Sequence, residues 1–237
     1  MPESKTSVVM PAYQAQDHIE RCLLSIEAQD RQADEIVIAV DGCRDTLDAI
    51  QTLTPESLRG RTRVLWIARN CGAVGRVYNT AMVVATGDVL VCFDADDEML
   101  PNFIASMAAV VESGKVALAR QRVMIGDVVD KEEFVCTGMS MSRIDFLRAG
   151  GHEPWPCEED SELKQRLQQM GIKAYAPKEV NMLRHKEPGS ITLSGTAGMG
   201  TERQLYFRGI KERRKSEPVV LDRIAITPFE EVNLWAG

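Results

Sequence analysis

Residues 89–100 read VLVCFDADDEML, in which a short apolar run passes directly into a crowded group of acidic side chains. The apolar run has the length and composition of a buried β-strand. The acidic residues that follow it are Asp94, Asp96, Asp97 and Glu98. Carboxylates this close repel one another and would be better solvated apart, so we expect a cation to lie among them at the end of the strand.

Buried strands alternate with helices along the first part of the chain. Strand-like apolar runs lie at residues 6–10, 35–40, 63–68 and 89–93, and helical periodicity lies between them at 17–29, 45–52 and 73–85. This alternation predicts an α/β fold, with a mostly parallel sheet sandwiched by helices. Ligands of such sheets bind at the carboxyl ends of the strands, so Asp41, Asp94 and the turn after the first strand are expected to share one edge.

The second part of the chain has a different pattern. Helices are predicted at residues 101–113, 142–151, 160–171 and 201–215, and strands at 116–129, 172–177 and 180–185. Residues 187–200 are rich in Gly, Ser and Thr and are therefore predicted to form a loop.

The composition, with 44% hydrophobic and 27% charged residues, is that of a soluble globular protein. No apolar segment approaches the roughly 20 residues that span a bilayer, and no signal peptide is visible, which predicts a cytoplasmic location. The 6 cysteines form no CxxC pair, which argues against a zinc ribbon. A net charge of −7 disfavours a surface built wholly for nucleic acid. Residues 203–215 are the basic exception, predicted to be a solvated helix face or a contact for a polyanion.

The acidic cluster is compared with two further types of site that are rich in carboxylates, a calcium loop and a helix cap. An EF-hand calcium loop is excluded because Met99 and Ala105 stand where that loop requires Gly and Glu. Capping of the next helix stays open for Asp97 and Glu98, but it does not account for Asp94 at the strand end. A strand-end Asp-x-Asp suits a divalent ion that holds a nucleotide diphosphate, and no Gly-rich phosphate loop is present to do so instead.

Five blocks of sequence, taken in order, resemble family 2 glycosyltransferases of the GT-A fold. They are VVMPAYQA (8–15), VDGCRD (40–45), RNCGAVGRVYNTA (69–81), GDVLVCFDADD (87–97) and EEDSELKQRL (158–167). The resemblance extends over residues 6–185. It implies a GT-A domain over 1–186, made of a nucleotide-sugar-binding half (1–98) and an acceptor and catalytic half (99–186), with a loop and helical extension over 187–237.

The resemblance implies a site for a nucleotide-diphospho-sugar. Its nucleotide-sugar contacts would be Pro11, Ala12, Tyr13, Asp41, Asn70, Gly72, Arg76, Asp94 and Ala95. Its divalent ion, Mn²⁺ or Mg²⁺, would be held by Asp94 and Asp96 of the DxD motif together with His185. Asp160 would be the catalytic base, with Glu159 beside it.

Candidate contacts to the acceptor come from residue type and position. Trp155 lies between two prolines just before the proposed base, where it could stack on a sugar or pack in the core. His152, after a Gly-Gly pair, and Gly138 are also expected to border the acceptor. The acidic residues 158–160 equally suit the first turn of a helix without any chemistry, because the helix dipole stabilises ionised carboxylates there.

The sequence departs from the family pattern at two places. The usual pair of acids before the glycine is reduced to Val40-Asp41, and the spacing from Arg76 to Asn79 is not the commonest one. The Gln-x-x-Arg-Trp motif of processive members is absent, which favours single addition.

The expected function is metal-dependent, inverting transfer of one sugar from a UDP-linked donor to an acceptor hydroxyl. A sugar-phosphate nucleotidyltransferase and a non-catalytic nucleotide-sugar-binding protein are the alternatives. The acceptor class, whether glycan, lipid-linked sugar, protein or nucleic acid base, stays open, as does the oligomeric state.

Overall fold

The computed structural model describes residues 4–126, 128–186, 200–217 and 221–235. Its strands are β1 (Thr6–Ala12), β2 (Glu35–Asp41), β3 (Thr62–Ile67), β4 (Val89–Cys92), β5 (Glu98–Met99), β6 (Val116–Ile125), β7 (Val128–Ser142), β8 (Ala174–Tyr175), β9 (Met182–His185) and β10 (Glu230–Val232). Its helices are α1 (Ile19–Glu27), α2 (Arg44–Leu53), α3 (Glu56–Arg59), α4 (Val74–Val84), α5 (Phe103–Glu112), α6 (Arg143–Ala149), α7 (Glu159–Gln169) and α8 (Glu202–Arg213). The predicted loop at 187–200 lies almost wholly outside the described residues.

The described strands form one mixed sheet in the order β10-β3-β2-β1-β4-β7-β6-β9-β5, with β8 paired to β6. Strands β3, β2, β1 and β4 run parallel, as the strand–helix alternation predicts. Strand β7 is antiparallel to β4 and forms a long hairpin with β6, which makes the second part of the sheet mixed. The α/β fold predicted from the sequence is confirmed.

Helices cover both faces of the sheet, and alternate residues of the central strands point into two separate cores. In β1, Val8 and Met10 pack with α1 and α5, whereas Val9 packs on the opposite face with α4 and α7. Both faces are therefore buried, which explains why these strands read as continuous apolar runs instead of alternating ones.

Two predicted segments differ from the structure in length. The strand region expected at 116–129 is the start of the β6–β7 hairpin, and β7 continues to Ser142. The following helix α6 ends before Gly150, whose φ of 78° places it in the left-handed region that favours glycine.

The last described segment returns to the first part of the sheet. Strand β10 pairs antiparallel with β3, and Arg63 forms an ion pair with Glu231 across this edge. Asn79 of α4 also donates a hydrogen bond of 2.9 Å to the carbonyl oxygen of Ala225. Among the described residues, the helices are all too short or too polar to traverse a lipid bilayer.

Candidate active site

An acidic turn joins β4 to β5 at the carboxyl end of the parallel strands. Asp94, Asp96 and Asp97 each direct a carboxylate oxygen to one place, where these oxygens lie within 4.8 Å of one another. The Asp97 side chain is buried, while Asp94 and Asp96 are half-buried. The sequence predicted this cluster, and the fold concentrates it because the turn is too short to spread the three side chains apart.

Two carboxylates of this turn, those of Asp94 and Asp97, have pKa values above those of isolated aspartates. Burial raises the pKa of Asp94 from its ordinary 3.8 to about 6, and repulsion from Asp96 adds to that effect. Burial likewise raises the pKa of Asp97 well above its ordinary value, again with repulsion from Asp96. A nearby cation would favour the charged forms of all three side chains.

Three groups from distant parts of the chain hold the turn in place. The Tyr78 hydroxyl of α4 donates a hydrogen bond of 2.6 Å to Asp94 Oδ1. Arg21 of α1 donates from Nη2 to the backbone carbonyl of Asp96 over 2.9 Å. The backbone N–H of His185 donates to Asp97 Oδ1 over 3.2 Å. The acidic turn is thus tied to two helices and to β9.

His185, predicted as a metal ligand, has its ring beside Glu98. Its Nε2 lies 3.3 Å from Oε2 of Glu98, and its ring nitrogens are not among the atoms that converge with the three aspartates. The imidazole therefore faces Glu98 in this structure, and its role as a ligand stays a prediction.

A small cavity of about 40 Å³ lies between the acidic turn and the start of α7. It is lined by Tyr78, Cys92, Asp94, Gly138, Met139, His152, Glu159 and Asp160. The fold thus brings Asp94 of the proposed donor side and Asp160 of the proposed acceptor side to the same space. Gly138, with a φ of 73°, sits close to Ala119 and Met182, where an added Cβ would lie 3.1 Å from each.

The acidic pair at the start of α7 is affected mainly by burial. Burial raises the pKa of Glu159 well above its ordinary value, and the adjacent Asp160 adds to it. Burial also raises the pKa of Asp160, although the backbone N–H of Ser161 and the charge of Lys211 act in the opposite direction. Loss of solvent therefore outweighs the helix dipole that would keep such carboxylates ionised.

His152 is buried at the back of the cavity. Its ring stacks on Tyr78 with centroids 5.3 Å apart, and its Nδ1 lies 3.4 Å from the backbone carbonyl of Glu159. Burial, reinforced by the charge of Arg166, lowers the pKa of His152 to about 3. Its Nε2 is buried without a hydrogen-bond partner among the described residues. A neutral imidazole with one unused polar atom thus borders the site.

Asp41, at the end of β2, holds the loop that follows β3. Its carboxylate accepts hydrogen bonds of 3.0 Å from Asn70 Nδ2 and from the backbone N–H of Cys71, and burial raises its pKa. Asn70 Oδ1 in turn accepts from the backbone N–H of Gly72. These three predicted nucleotide-side residues are therefore brought together, with much of the bonding capacity of Asp41 used inside the chain.

The remaining nucleotide-side candidates surround the ends of β1 and β4. Ala12 and Ala95 are buried, Pro11 is half-buried, and Tyr13 is 44% exposed, so its ring is open to a ligand. Arg76 on α4 is half-buried, and its Nε has no hydrogen-bond partner among the described residues.

Trp155 is packed beneath α8 instead of standing free. Its ring lies 5.1 Å from that of Phe207, and the Arg214 guanidinium lies 5.1 Å above its ring centroid. Only 7% of the residue is exposed. Core packing, the alternative interpretation of this tryptophan, accounts for its observed contacts, and its stacking on an acceptor stays a prediction.

The basic stretch at 203–215 forms α8 and the residues just after it, and several of its charges pair inside the chain. Lys211 and Arg208 both form ion pairs with Glu158, and Arg214 pairs with Glu153 and Glu162. These side chains thus join α8 to the segment that begins α7.

Sequence reasoning misses two residues of this region. Tyr78 lies on α4, whose apolar periodicity predicts a side chain in the core. Only the presence of a hydroxyl group indicates that this side chain could form a hydrogen bond. The sequence pattern groups Glu158 with the acids of a first helical turn, yet it precedes α7 with a φ of 64°. Neither role can be inferred from local pattern, because both depend on contacts made across the fold.

Comparisons with known proteins identify the family and the fold of this chain. The model of the family described as glycosyl transferase family 2 matches residues 7–152, more than half of the chain. An uncharacterized glycosyltransferase of Nostoc sp. is 28% identical over 127 residues, which are 54% of this chain and 39% of that protein. The chain spans less than half the length of the curated relatives it matches.

Two solved structures share the fold. TarS 1-349 of S. aureus, in complex with UDP-GlcNAc, superposes with a TM-score of 0.65 at 18% identity over 78% of this chain and 60% of its own. The mannosyltransferase PcManGT of Pyrobaculum calidifontis, in complex with GDP-Man and Mn²⁺, gives 0.66 at 20% identity over 80% and 59%. With the extent of the family match, these findings show that the chain belongs to glycosyl transferase family 2.

Proposed function

We propose that this chain is a metal-dependent, inverting glycosyltransferase that moves one sugar from a UDP-linked donor to an acceptor hydroxyl. The observation that carries the proposal is the cavity at the end of β4, which Asp94 and Asp160 both line. Inverting transfer needs a carboxylate to receive the hydroxyl proton and positive charge near the leaving diphosphate. The nucleotide half, 1–98, and the acceptor half, 99–186, would each supply one of these.

The acidic turn fits a divalent cation such as Mn²⁺ or Mg²⁺. Such cations take oxygen ligands, and the converging oxygens of the three aspartates offer them. The raised pKa values of Asp94 and Asp97 support this, because a cation would remove the repulsion that contributes to them. Asp94 and Asp96 would hold the ion, joined by His185 once its ring turns away from Glu98. When bound, the ion would neutralise charge on the leaving diphosphate.

Asp160 would act as the base on the acceptor side. The raised pKa of its carboxyl increases its affinity for a proton, as a general base requires. The pKa of the adjacent Glu159 is raised well above its ordinary value, so Glu159 would hold a proton and leave Asp160 as the charged partner.

The nucleotide would lie along the ends of β1, β2 and β4. The exposed Tyr13 ring could stack on the base, while Pro11, Ala12 and Ala95 form the surface beneath it. Arg76, whose buried Nε has no hydrogen-bond partner among the described residues, would approach the diphosphate. Asp41, Asn70 and the backbone of Gly72, which are joined by hydrogen bonds, would form the adjoining part of this surface. Asp41 would also accept from the base through its remaining lone pairs.

The ligands bound in the two structures that share the fold support a nucleotide-sugar donor. TarS is in complex with UDP-GlcNAc, and PcManGT is in complex with GDP-Man and Mn²⁺. We choose UDP over GDP for this chain on the family resemblance of its sequence, and the choice is open to direct test.

The acceptor would enter beside Gly138 and His152. The lowered pKa of His152 favours the neutral imidazole, and its Nε2, which has no partner in the part of the chain that the structure describes, would hydrogen-bond to an acceptor or sugar hydroxyl. Trp155 would contribute only where α8 leaves its ring uncovered.

The test begins with a panel of nucleotide sugars, measured by thermal shift with Mn²⁺ or Mg²⁺ and with EDTA. A donor present at 100 times its dissociation constant should stabilise the fold by about 2.7 kcal/mol. Release of nucleoside diphosphate from that donor, with water or an added hydroxyl compound as the acceptor of the sugar, is then measured for the wild-type protein and for Asp160→Asn. The configuration of the product at the anomeric carbon tests inversion.

The expected result is that Asp160→Asn binds the donor as tightly as the wild-type protein but turns it over about 10² to 10⁴ times more slowly. Asp48→Asn, on the exposed face of α2, is the matched control and should be fully active. Donor binding without turnover by either protein would instead indicate a non-catalytic binder. Equal turnover by Asp160→Asn and the wild-type protein would contradict the assigned base.

A further inference from the structure

Glu158, the residue just before α7, has an unusual backbone. Its φ of 64° and ψ of 3° lie in the left-handed region, which residues other than glycine seldom adopt. Such a conformation costs free energy and persists only where surrounding contacts impose it. Glu158 directly precedes Glu159 and Asp160, so contacts that fix the backbone conformation of Glu158 also fix the position of these two residues.

Side chains of α8 supply these contacts. Lys211 and Arg208 form ion pairs with the Glu158 carboxylate, and Gln204 donates a hydrogen bond to it from Nε2. The side chains of Glu158 and Lys211 are only 10% and 14% exposed, so solvent screens their interaction less than it would at the surface. These contacts, with the charges of α8, hold the pKa of Glu158 below its ordinary value despite its burial.

Lys211 contacts the chain on both sides of the proposed base. Besides its ion pair with Glu158, its Nζ donates a hydrogen bond of 2.8 Å to Ser161 Oγ. Ser161 Oγ in turn donates a hydrogen bond of 3.0 Å to the Glu158 carboxylate. The Glu158 carbonyl oxygen accepts a hydrogen bond from the backbone N–H of Glu162. One ammonium group therefore joins residues 158 and 161, and Asp160 lies between them.

We propose that Lys211 is a positioning residue for the transfer reaction: by joining Glu158 to Ser161 it fixes the first turn of α7 and directs the Asp160 carboxylate into the cavity. The expected effect of Lys211 on turnover rests on the proposed function. Its effect on the first turn of α7 does not depend on that function. This role accounts for part of the basic character of α8 by intramolecular ion pairs.

The experiment compares three variants with the wild-type protein. Lys211→Met removes the charge and both polar contacts at similar side-chain length, and Lys211→Arg keeps the charge. Lys215→Met is the matched control, because Lys215 pairs only with Glu212 in the part of the chain that the structure describes and is 60% exposed. Hydrogen exchange is measured for the peptide covering residues 158–164, and kcat and KM are measured with the donor found in the thermal-shift panel.

In Lys211→Met, exchange of the 158–164 peptide should rise at least about tenfold, because the contacts that close this turn are lost. Its kcat should fall by about 10²-fold, the scale of a misplaced catalytic group, while KM for the donor changes less than about twofold. Lys211→Arg should recover most of both properties, and Lys215→Met should match the wild-type protein.

Unchanged exchange of the 158–164 peptide in Lys211→Met would overturn the proposal. A loss of kcat that Lys211→Arg does not recover at all, in a normally folded protein, would overturn it too. If the wild-type protein turns over no nucleotide sugar, the proposed function fails, and the exchange data then decide alone whether Lys211 fixes the turn.

Discussion

The Tyr78 hydroxyl donates a hydrogen bond of 2.6 Å to Asp94 Oδ1, and it thereby connects α4 to the acidic turn after β4. The oxygen that accepts this bond belongs to a proposed metal ligand. Tyr78 is itself buried against the His152 ring, so the orientation of the Asp94 carboxylate depends on packing in the interior as well as on the turn.

We expect Tyr78→Phe to weaken Mn²⁺ binding by about 10-fold or more, because groups that orient a ligand usually contribute that much to metal affinity. Isothermal titration measures the change. Tyr206→Phe, at a position that is 65% exposed on α8, should leave the affinity unaltered. Equal Mn²⁺ affinities for Tyr78→Phe and the wild-type protein would mean that Asp94 is not oriented in this way.

The raised pKa of Asp94, about 6, predicts how metal binding depends on pH. A ligand must lose its proton to bind, so protons compete with Mn²⁺ below pH 6 instead of only below the ordinary 3.8. Mn²⁺ affinity should be nearly constant from about pH 7 to 8 and fall by roughly tenfold for each pH unit below 6. A dissociation constant that is the same at both ends of a titration from acid to neutral pH would refute this dependence.

The raised pKa of Asp94 also predicts how the stability of the metal-free protein depends on pH. Metal affinity rises with pH, whereas the free energy of unfolding falls. The folded state holds the Asp94 proton more tightly than the unfolded chain does. A rise in pH from 3.8 to about 6 therefore lowers the free energy of unfolding. Added Mn²⁺ should reverse this loss above pH 6, which urea unfolding with and without the ion can measure.

His152 predicts a separate response to acid. Its pKa of about 3 lies below the ordinary 6.5, so between these values the unfolded chain binds a proton that the folded protein does not. Acidification across this range therefore favours unfolding by up to about 1.4 kcal/mol per pH unit. His152→Phe, which keeps a ring beside Tyr78, should show a shallower loss of unfolding free energy between pH 6 and 4 than the wild-type protein.

Urea unfolding at a series of pH values measures the His152 effect. His18→Phe is the control for loss of a histidine, because the His18 side chain makes no capping hydrogen bond at α1. Parallel pH curves for His152→Phe and the wild-type protein would show that His152 titrates normally in the folded state.

Gly75 sets how closely α4 approaches the segment before α7. A Cβ at Gly75 would lie 2.1 Å from the backbone carbonyl oxygen of Glu153, so Gly75→Ala must displace one of the two segments. We expect it to lower the free energy of unfolding by about 1–3 kcal/mol. Gly60→Ala, where nothing lies within 4 Å, is the matched control and should be neutral or slightly stabilising. A thermal melt of Gly75→Ala that overlays that of Gly60→Ala would contradict this close approach.

Local patterns predicted the elements but not the contacts between them. The apolar run at 89–93 and the acids after it correctly predicted a buried strand with a carboxylate cluster at its end, because both depend on neighbouring residues. The Tyr78–Asp94 bond and the pairing of β10 with β3 join residues far apart in the chain, and periodicity carries no information about them.

The acids at the start of α7 show a second limit of sequence reasoning. A first helical turn predicts ionised carboxylates, but Glu159 is buried and Asp160 is half-buried beside β7 and His152, and loss of solvent raises both pKa values. The direction of a pKa shift depends on the solvent that the fold excludes, and only the assembled structure reveals that.

The central claim, that an ion held by the acidic turn binds the diphosphate of the donor, is tested most directly by the affinity for UDP. Isothermal titration of UDP, with Mn²⁺ and then with EDTA, should show binding at least about tenfold tighter with the ion in the wild-type protein. Asp96→Asn should bind UDP with one weak affinity under both conditions. UDP binding of equal strength with Mn²⁺ and with EDTA in the wild-type protein would contradict the account.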